Sequence, residues 1–329
     1  MRLAKDYKYL GLWLQSNCRY TTHYRQLLVK ANRVAYLIRR VITPGNPPRI
    51  PIIVALVRAI LIPVIAYGIP FLRPNKEQLG QLDTILAKVV RPAMGLPGTA
   101  PTLSTLVEVG LPSTIFLRRS ALLHLFRRFA KLPSTHPSSQ TFRMELRRPR
   151  SRTKTFRSLV EELNEVERVS GVTHDAPNLD NMVRHAKAAT FAWWKSTGQK
   201  RRLQRLLPTL DVDTPPYYYV DDRTTASYRC RLRFNLALLR DSKFKRHLAR
   251  SPMCRWCPGK METPRHFLLK CPEFCYERFQ LEMELRWSNV DLSLPTILGH
   301  LPALPIGLKR DVLRHTGRYI SRICRRRRC

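Results

Sequence analysis

The chain is short of acid and short of glycine. Against 59 lysines and arginines stand 23 aspartates and glutamates, a formal net charge of +36 over 329 residues. A compact chain carrying that charge repels itself, so the composition points to a polyanionic partner, nucleic acid or an anionic membrane face. The 13 glycines, set beside 25 prolines, argue against a glycine-rich phosphate loop and for helices punctuated by proline. Disorder is excluded by the 44% hydrophobic content, because disordered polyelectrolytes are poor in apolar residues. The length allows two or three domains, each with its own core. The eight cysteines are too few and too clustered for a secreted disulfide scaffold, and no signal peptide is evident. Reduced thiols, a metal site and a nuclear or cytoplasmic location are the expectation.

Long apolar runs are scarce as well. Pro51 to Leu72 is the one membrane candidate, 22 mostly apolar residues where a span needs about 20. Arg58 lies inside it, and a mid-span arginine costs about 2.5–3.5 kcal/mol. The segment reads as a buried core helix broken near Pro63, with no membrane partner.

The positive charge is bimodal. Residues 1–132 carry net +16, residues 133–225 net +5 and residues 226–329 net +15. The Pro-, Ser- and Arg-rich stretch 133–157 reads as a linker, and 158–223 as a helical connector. That division expects a helical domain over 1–132 and a basic domain over 224–329.

Tyr7 to Leu14 is β-prone with a central glycine and predicts a short hairpin. Thr22 is placed to cap a helix with apolar residues at Leu27, Ala31, Val34, Ala35 and Ile38, a 3.6-residue period. Asn75 is placed to cap a second, through Leu79, Leu82, Ile85, Leu86, Val89 and Val90 to a stop at Gly95. A third runs from about Pro112 to Lys131 and carries His124, read as an ordinary packed histidine. In the middle, an acidic helix is expected around Ser158–Val169. A longer one is expected around Asn178–Leu207, in which Trp193 and Trp194 divide between core and surface. The fold class is mainly α, after a short β element.

The sharpest signal is Cys254-Arg-Trp-Cys257 followed by His266 and Cys271. Three thiolates and one imidazole make a closed tetrahedral set, which structural Zn²⁺ favours and which leaves no open position for catalysis. Pro258-Gly259-Lys260 is suited to turn the chain back after the cysteine pair. Thr263-Pro264 reads as an N-cap and first helical residue, placing His266 and Cys271 on, or just past, one short helix. Cys275 is a rival fourth ligand. Around this cluster the chain is basic: Arg229, Arg231, Arg233, Arg240, Lys243, Lys245 and Arg246 precede it, and Arg255, Lys260, Arg265 and Lys270 lie within it. Such side chains contact phosphates and give affinity without base specificity. The tail run Arg325–Arg328 reads as a nuclear-import or nucleic-acid patch, or as a disordered basic end.

Taken in order, these residues resemble a known family. Tyr9-Leu10-Gly11, a long helix, Pro63 with Tyr67-Gly68, Leu82 to Gly95 and Glu108-x-Gly110-Leu111-Pro112 resemble the end of the palm and the thumb of non-LTR (LINE-type) retrotransposon reverse transcriptases. Cys254-x2-Cys257, Glu262-Thr263, His266-Phe-Leu-Leu-Lys-Cys271-Pro272-Glu273-Phe274 and Arg278 resemble the C-terminal CCHC zinc-binding domain of the same polyproteins. The resemblance covers most of 1–132 and 224–323. It implies a thumb-like helical bundle and a small zinc-knuckle domain that hold RNA template and target DNA during target-primed reverse transcription. The polymerase carboxylates of the family lie upstream of the Tyr-Leu-Gly element, in domains of the polyprotein that would precede Met1, so no catalytic residue is assigned in this chain.

One motif imitates a catalytic one. Tyr219-Val220-Asp221-Asp222 matches the Tyr-x-Asp-Asp element of these polymerases in letters. It follows the Tyr-Leu-Gly element, whereas the family order is the reverse, and Pro215-Pro216 and Arg223-Thr224-Thr225 crowd it. The plainer expectation is a loop that caps the helix leading to Arg229. The alternatives are a host-adopted zinc adaptor for a protein partner and a stand-alone polymerase built on Asp221 and Asp222.

Overall fold

The computed structural model describes residues 5–16, 20–42, 48–70, 72, 74–147, 182–196, 214–301 and 304–327. The protein is mainly helical after one small antiparallel hairpin. Two compact units form: Met1–Ala35, Arg58–Leu86 and Leu111–Trp193 make the first, and Tyr36–Val57, Ala87–Gly110 and Trp194–Cys329 the second. Each unit gathers segments far apart in sequence.

In the first unit, β1 (Asp6–Tyr9) pairs with β2 (Leu12–Gln15). The turn residues Leu10 and Gly11 have φ of 45° and 82°, the left-handed pair that a two-residue hairpin requires. The Tyr67 hydroxyl donates to the Leu10 carbonyl. Helix α1 (Thr21–Val41) buries Leu27, Ala31, Ala35 and Ile38, as its period predicts. Its cap is not Thr22. Gln15 at the end of β2 takes that place, its Oε1 accepting from the Thr22 backbone N–H at 3.0 Å and from the Thr21 hydroxyl at 2.8 Å.

The apolar run 51–72 forms α2 (Ile50–Leu56), a π-turn (Val57–Leu61) and α3 (Ile62–Ala66). Pro63 has no N–H to donate, and the wider turn just before it accommodates that loss. Ile53, Leu61 and Ile65 are buried while Ile52 and Ile60 are exposed. Among the described residues no helix is long and apolar enough to cross a membrane.

Helix α4 (Lys76–Ala93) opens with a reciprocal cap. Asn75 Oδ1 accepts from the Gln78 N–H at 2.8 Å, and Gln78 Oε1 from the Asn75 N–H at 2.9 Å, the capping-box exchange. It ends at Gly95, whose φ is 67°. Helix α5 (Thr102–Glu108) follows, then α6 (Thr114–Lys131). The half-buried Asp83 holds the start of α6, accepting from the Thr114 N–H at 2.6 Å and the Ser113 hydroxyl at 2.7 Å. His124 is half-buried on α6.

The stretch read as a linker contains a helix, α7 (Pro137–Arg147). Proline opens it, and His136 Nδ1 accepts from the Ser138 N–H at 3.2 Å, a cap that a composition-based reading does not register. The expected acidic helix 158–169 and the basic run 200–205 lie outside the described residues. The longer central helix is described as α8 (Met182–Ser196). Trp194 is buried and donates to Ser104 Oγ at 3.2 Å. Trp193 is exposed and tilted against Phe116 at 5.6 Å. The pair divides as expected.

The second unit continues through α9 (Tyr217–Val220), α10 (Arg223–Arg233) and α11 (Arg240–Phe244). Beyond the cysteine-rich loop come a π-turn (His266–Lys270), a 3₁₀ turn (Pro272–Phe274), α12 (Cys275–Arg286), α13 (Leu294–Ile297) and α14 (Ile306–Arg327). Helix α14 packs against α10, α12 and α13. It buries Val312, Leu313, Tyr319, Ile320, Ile323 and Cys324.

Candidate metal centre and its basic surroundings

Cys254, Cys257, His266 and Cys271 come together. All four are buried, and one ligand atom from each lies within 4.8 Å of the others. The local chain path explains the convergence. A single bridge pairs Met253 with Met261. Between them the Cys254 N–H donates to the Lys260 carbonyl at 2.7 Å, and the Lys260 N–H to the Cys257 carbonyl at 3.1 Å. Gly259, with φ of 74°, supplies the left-handed residue of this turn.

Thr263 caps the second arm, its Oγ1 accepting from the His266 N–H at 3.2 Å. The arm is then a π-turn, closed by the Cys271 N–H donating to the His266 carbonyl at 2.8 Å. In an α-helix, residues five apart point about 140° away from each other. The i→i+5 bond of a π-turn brings them back to one side, which lets His266 and Cys271 serve one centre. Cys275 is exposed at the start of α12 and is not part of the cluster.

The geometry fits a tetrahedral ion. Metal–sulfur bonds of about 2.3 Å at tetrahedral angles place the sulfurs about 3.8 Å apart. Cys271 Sγ is 3.9 Å from Cys254 Sγ and 3.8 Å from Cys257 Sγ. Nε2 of His266 is buried with no hydrogen-bond partner, an orphan that a metal would satisfy. Burial lowers the His266 pKa and favours the neutral, ligating imidazole. Burial also pushes the Cys257 thiol up, and the Cys271 thiol up to about 12, with the Cys254 sulfur adding to both. A bound cation reverses that preference by stabilising the thiolates. This group could hold a metal ion, and its donor set is compatible with zinc.

A supporting shell surrounds the ligands. Glu262 is fully buried. It accepts from the Arg240 N–H at 2.6 Å and from Arg327 Nε and Nη2 at 2.6 and 2.8 Å. Arg326 pairs with Glu273 at 2.6 Å and Glu277 at 2.7 Å. The Arg327 guanidinium lies 5.7 Å from the Trp256 ring centre, and that of Arg326 lies 5.8 Å from Phe274. Arg325, Arg326 and Arg327 of the tail run form the last described turn of α14, where Arg327 pairs with Glu262 of the cysteine-rich loop and Arg326 with Glu273 and Glu277 just beyond it. Arg278 Nη2 donates to the Cys271 carbonyl at 2.9 Å, and the Tyr319 hydroxyl to the Leu268 carbonyl at 2.7 Å. Sequence reasoning gave Glu262 no physical role. The available signal was one carboxylate isolated between ligands in a basic stretch.

Two expected phosphate contacts are corrected by burial. Arg229 is fully buried and bidentate to Asp221 at 2.8 and 3.1 Å, and it also donates to Thr316 and to the Ile297 and Leu313 carbonyls. Arg233 is buried and bidentate to Glu108 at 2.7 and 3.0 Å, with Nη1 on the Leu298 carbonyl. The Tyr217 hydroxyl donates to the same Glu108 at 2.7 Å. A desolvated guanidinium with every nitrogen already hydrogen-bonded inside the fold is out of reach of a phosphate.

Arg231 is half-buried, its Nε on the Gly95 carbonyl at 2.6 Å. Lys243 and Arg246 are half-buried. Lys245 is exposed and paired with Asp241 at 2.6 Å. Arg255, Lys260, Arg265 and Lys270 are exposed around the metal loop.

The Tyr-x-Asp-Asp look-alike is structural. Asp221 is the buried partner of Arg229, and Asp222 caps α10 by accepting from the Thr225 N–H at 3.0 Å. The chain matches no protein-family model, no curated protein and no solved structure.

Proposed function

We propose that this chain is the C-terminal, nucleic-acid-binding portion of a non-LTR retrotransposon reverse transcriptase, organised around a structural zinc ion. The observation that carries the reading is the buried Cys254, Cys257, His266 and Cys271 group, set in a chain of net charge +36. Zn²⁺ held there would supply folding free energy directly, as in other closed sites of this type. It would fix the loop that displays Arg255, Lys260, Arg265 and Lys270 to solvent. These four would contact phosphates and hold RNA template or target DNA without reading bases. Lys245, with Arg231, Lys243 and Arg246 beside it, would add to the field rather than to a specific contact.

The polymerase step would belong to carboxylates elsewhere in the polyprotein, because Asp221 and Asp222 are committed to an ion pair and a helix cap. The test is metal analysis of the purified chain together with RNA and DNA binding across a salt series. One equivalent of zinc and an affinity that falls steeply with salt are expected. A chain that binds neither nucleic acid at low salt defeats the reading. Capture of a protein partner that survives nuclease treatment would favour an adaptor instead.

A further inference from the structure

Helix α12 is apolar on both sides. Leu281 and Leu285 are buried in the second unit. On the opposite side Tyr276, Phe279, Met283 and Trp287 (the residue just past the helix end) are exposed, by 67%, 60%, 40% and 89%. At 100° per residue these four fall within a sector of about 80°, and the stripe runs about 16 Å along the axis. A surface row of three aromatics and a methionine is costly to leave in water, and contiguous exposed patches of this kind mark binding surfaces.

The charge around the stripe names the occupant. The acidic groups near it are already compensated: Glu273 and Glu277 by Arg326, Glu282 by Arg286 and Glu284 by Arg318. The neighbouring α14 carries eight lysines and arginines against one aspartate. Its exposed Arg322 reaches the stripe's edge and donates to the uncharged Gln280 at 3.0 Å. A second copy of a chain with net charge +36 is repelled from such a face.

We propose that the exposed face of α12 is a stacking platform for unpaired bases of a single-stranded nucleic acid, with Arg322 of α14 at its edge contacting a phosphate. Aromatic rows beside cations bind single strands in this way, because every base offers a π-face and every nucleotide a phosphate. The platform is tied to the metal loop, since α12 begins four residues after Cys271 and Arg278 donates to the Cys271 carbonyl. The inference rests on the nucleic-acid reading above and sharpens it, by assigning unpaired bases to one helix face.

The experiment compares the full-length zinc-loaded chain with its Phe279→Ala/Trp287→Ala variant, binding oligouridylate, oligothymidylate and a mixed-sequence duplex. The variant should lose about tenfold or more in affinity for both single strands and keep its duplex affinity. Trp287→Phe, which keeps a ring, should restore most of the loss when paired with native Phe279. Unchanged melting temperatures establish that both variants fold. Single-strand affinity equal to wild type in the double variant overturns the platform while leaving the nucleic-acid reading intact. So does a change confined to self-association by sedimentation or to binding of anionic phospholipid vesicles. Failure of the wild-type chain to bind any of the three probes overturns both.

Discussion

Two basic stretches of the second unit look alike in sequence and behave oppositely. Arg229, Arg231 and Arg233 alternate along α10, and Arg255, Lys260, Arg265 and Lys270 punctuate the metal loop. In α10 the outer two arginines are swallowed by the fold, each paired with a buried carboxylate. In the loop all four cations face water. Charge density alone cannot separate the cases. Positions four apart share a helix face, and the fold decides which face is buried. Arg229 and Arg233 thus stand on the buried side of α10 with Ala226 and Cys230, while the buried carboxylate within the loop, Glu262, is already taken by Arg327.

The largest effect is expected at the clustered cysteines. Cys271→Ser should abolish tight zinc binding and unfold the loop, because the apparent binding energy of such sites, about 10–16 kcal/mol, is folding energy. Zinc stoichiometry and near-ultraviolet circular dichroism read this out, and one retained equivalent would mean the ligand set is wrong. The same chemistry fixes a pH dependence. The Cys257 and Cys271 thiols sit above their usual range without a cation, so zinc binding must expel their protons. Zinc affinity is then present at high pH and lost as pH falls, measurable by competition with a chromogenic chelator.

Next in size are the buried ion pairs. Arg229→Ala or Arg233→Ala strands a buried carboxylate and should cost about 3–5 kcal/mol in chemical denaturation. A variant as stable as wild type would place these arginines at the surface after all. Gly317→Ala should act on the same pair, because a Cβ there would lie 2.5 Å from Asp221 Oδ1; a loss of about 1–3 kcal/mol is expected. Arg327→Ala removes two charged hydrogen bonds to Glu262 and should destabilise the metal loop by about 1.5–3 kcal/mol, seen as faster zinc release to chelator. The smallest effect on stability belongs to Lys260→Ala/Arg265→Ala/Lys270→Ala. Melting should not move, while affinity for RNA and DNA falls and the salt slope flattens by about three. If affinity holds, the loop is only a solvated face.

Much of the molecule was legible before folding. The hairpin, the 3.6-residue stripes of α1 and α4, the Asn75 cap, the Gly95 stop and the choice of Cys254, Cys257, His266 and Cys271 as a cluster that could hold a metal ion all follow from spacing and local chemistry. The departures share a cause. Gln15 displaced Thr22 as the cap of α1 because a strand end happens to reach it. His136 and Pro137 opened a helix inside a proline-rich stretch. The tail arginines found acidic partners some fifty to sixty-five residues away.

The sequence by itself determined that this is a helical, strongly cationic chain with a Cys-x2-Cys, His, Cys set that could hold a metal ion, because periodicity, composition and residue spacing act over a few residues. The tertiary structure alone decided which cations are available. A guanidinium is buried or exposed according to whether a distant carboxylate, Glu108 for Arg233 or Glu262 for Arg327, offsets its desolvation, and no local pattern encodes that meeting.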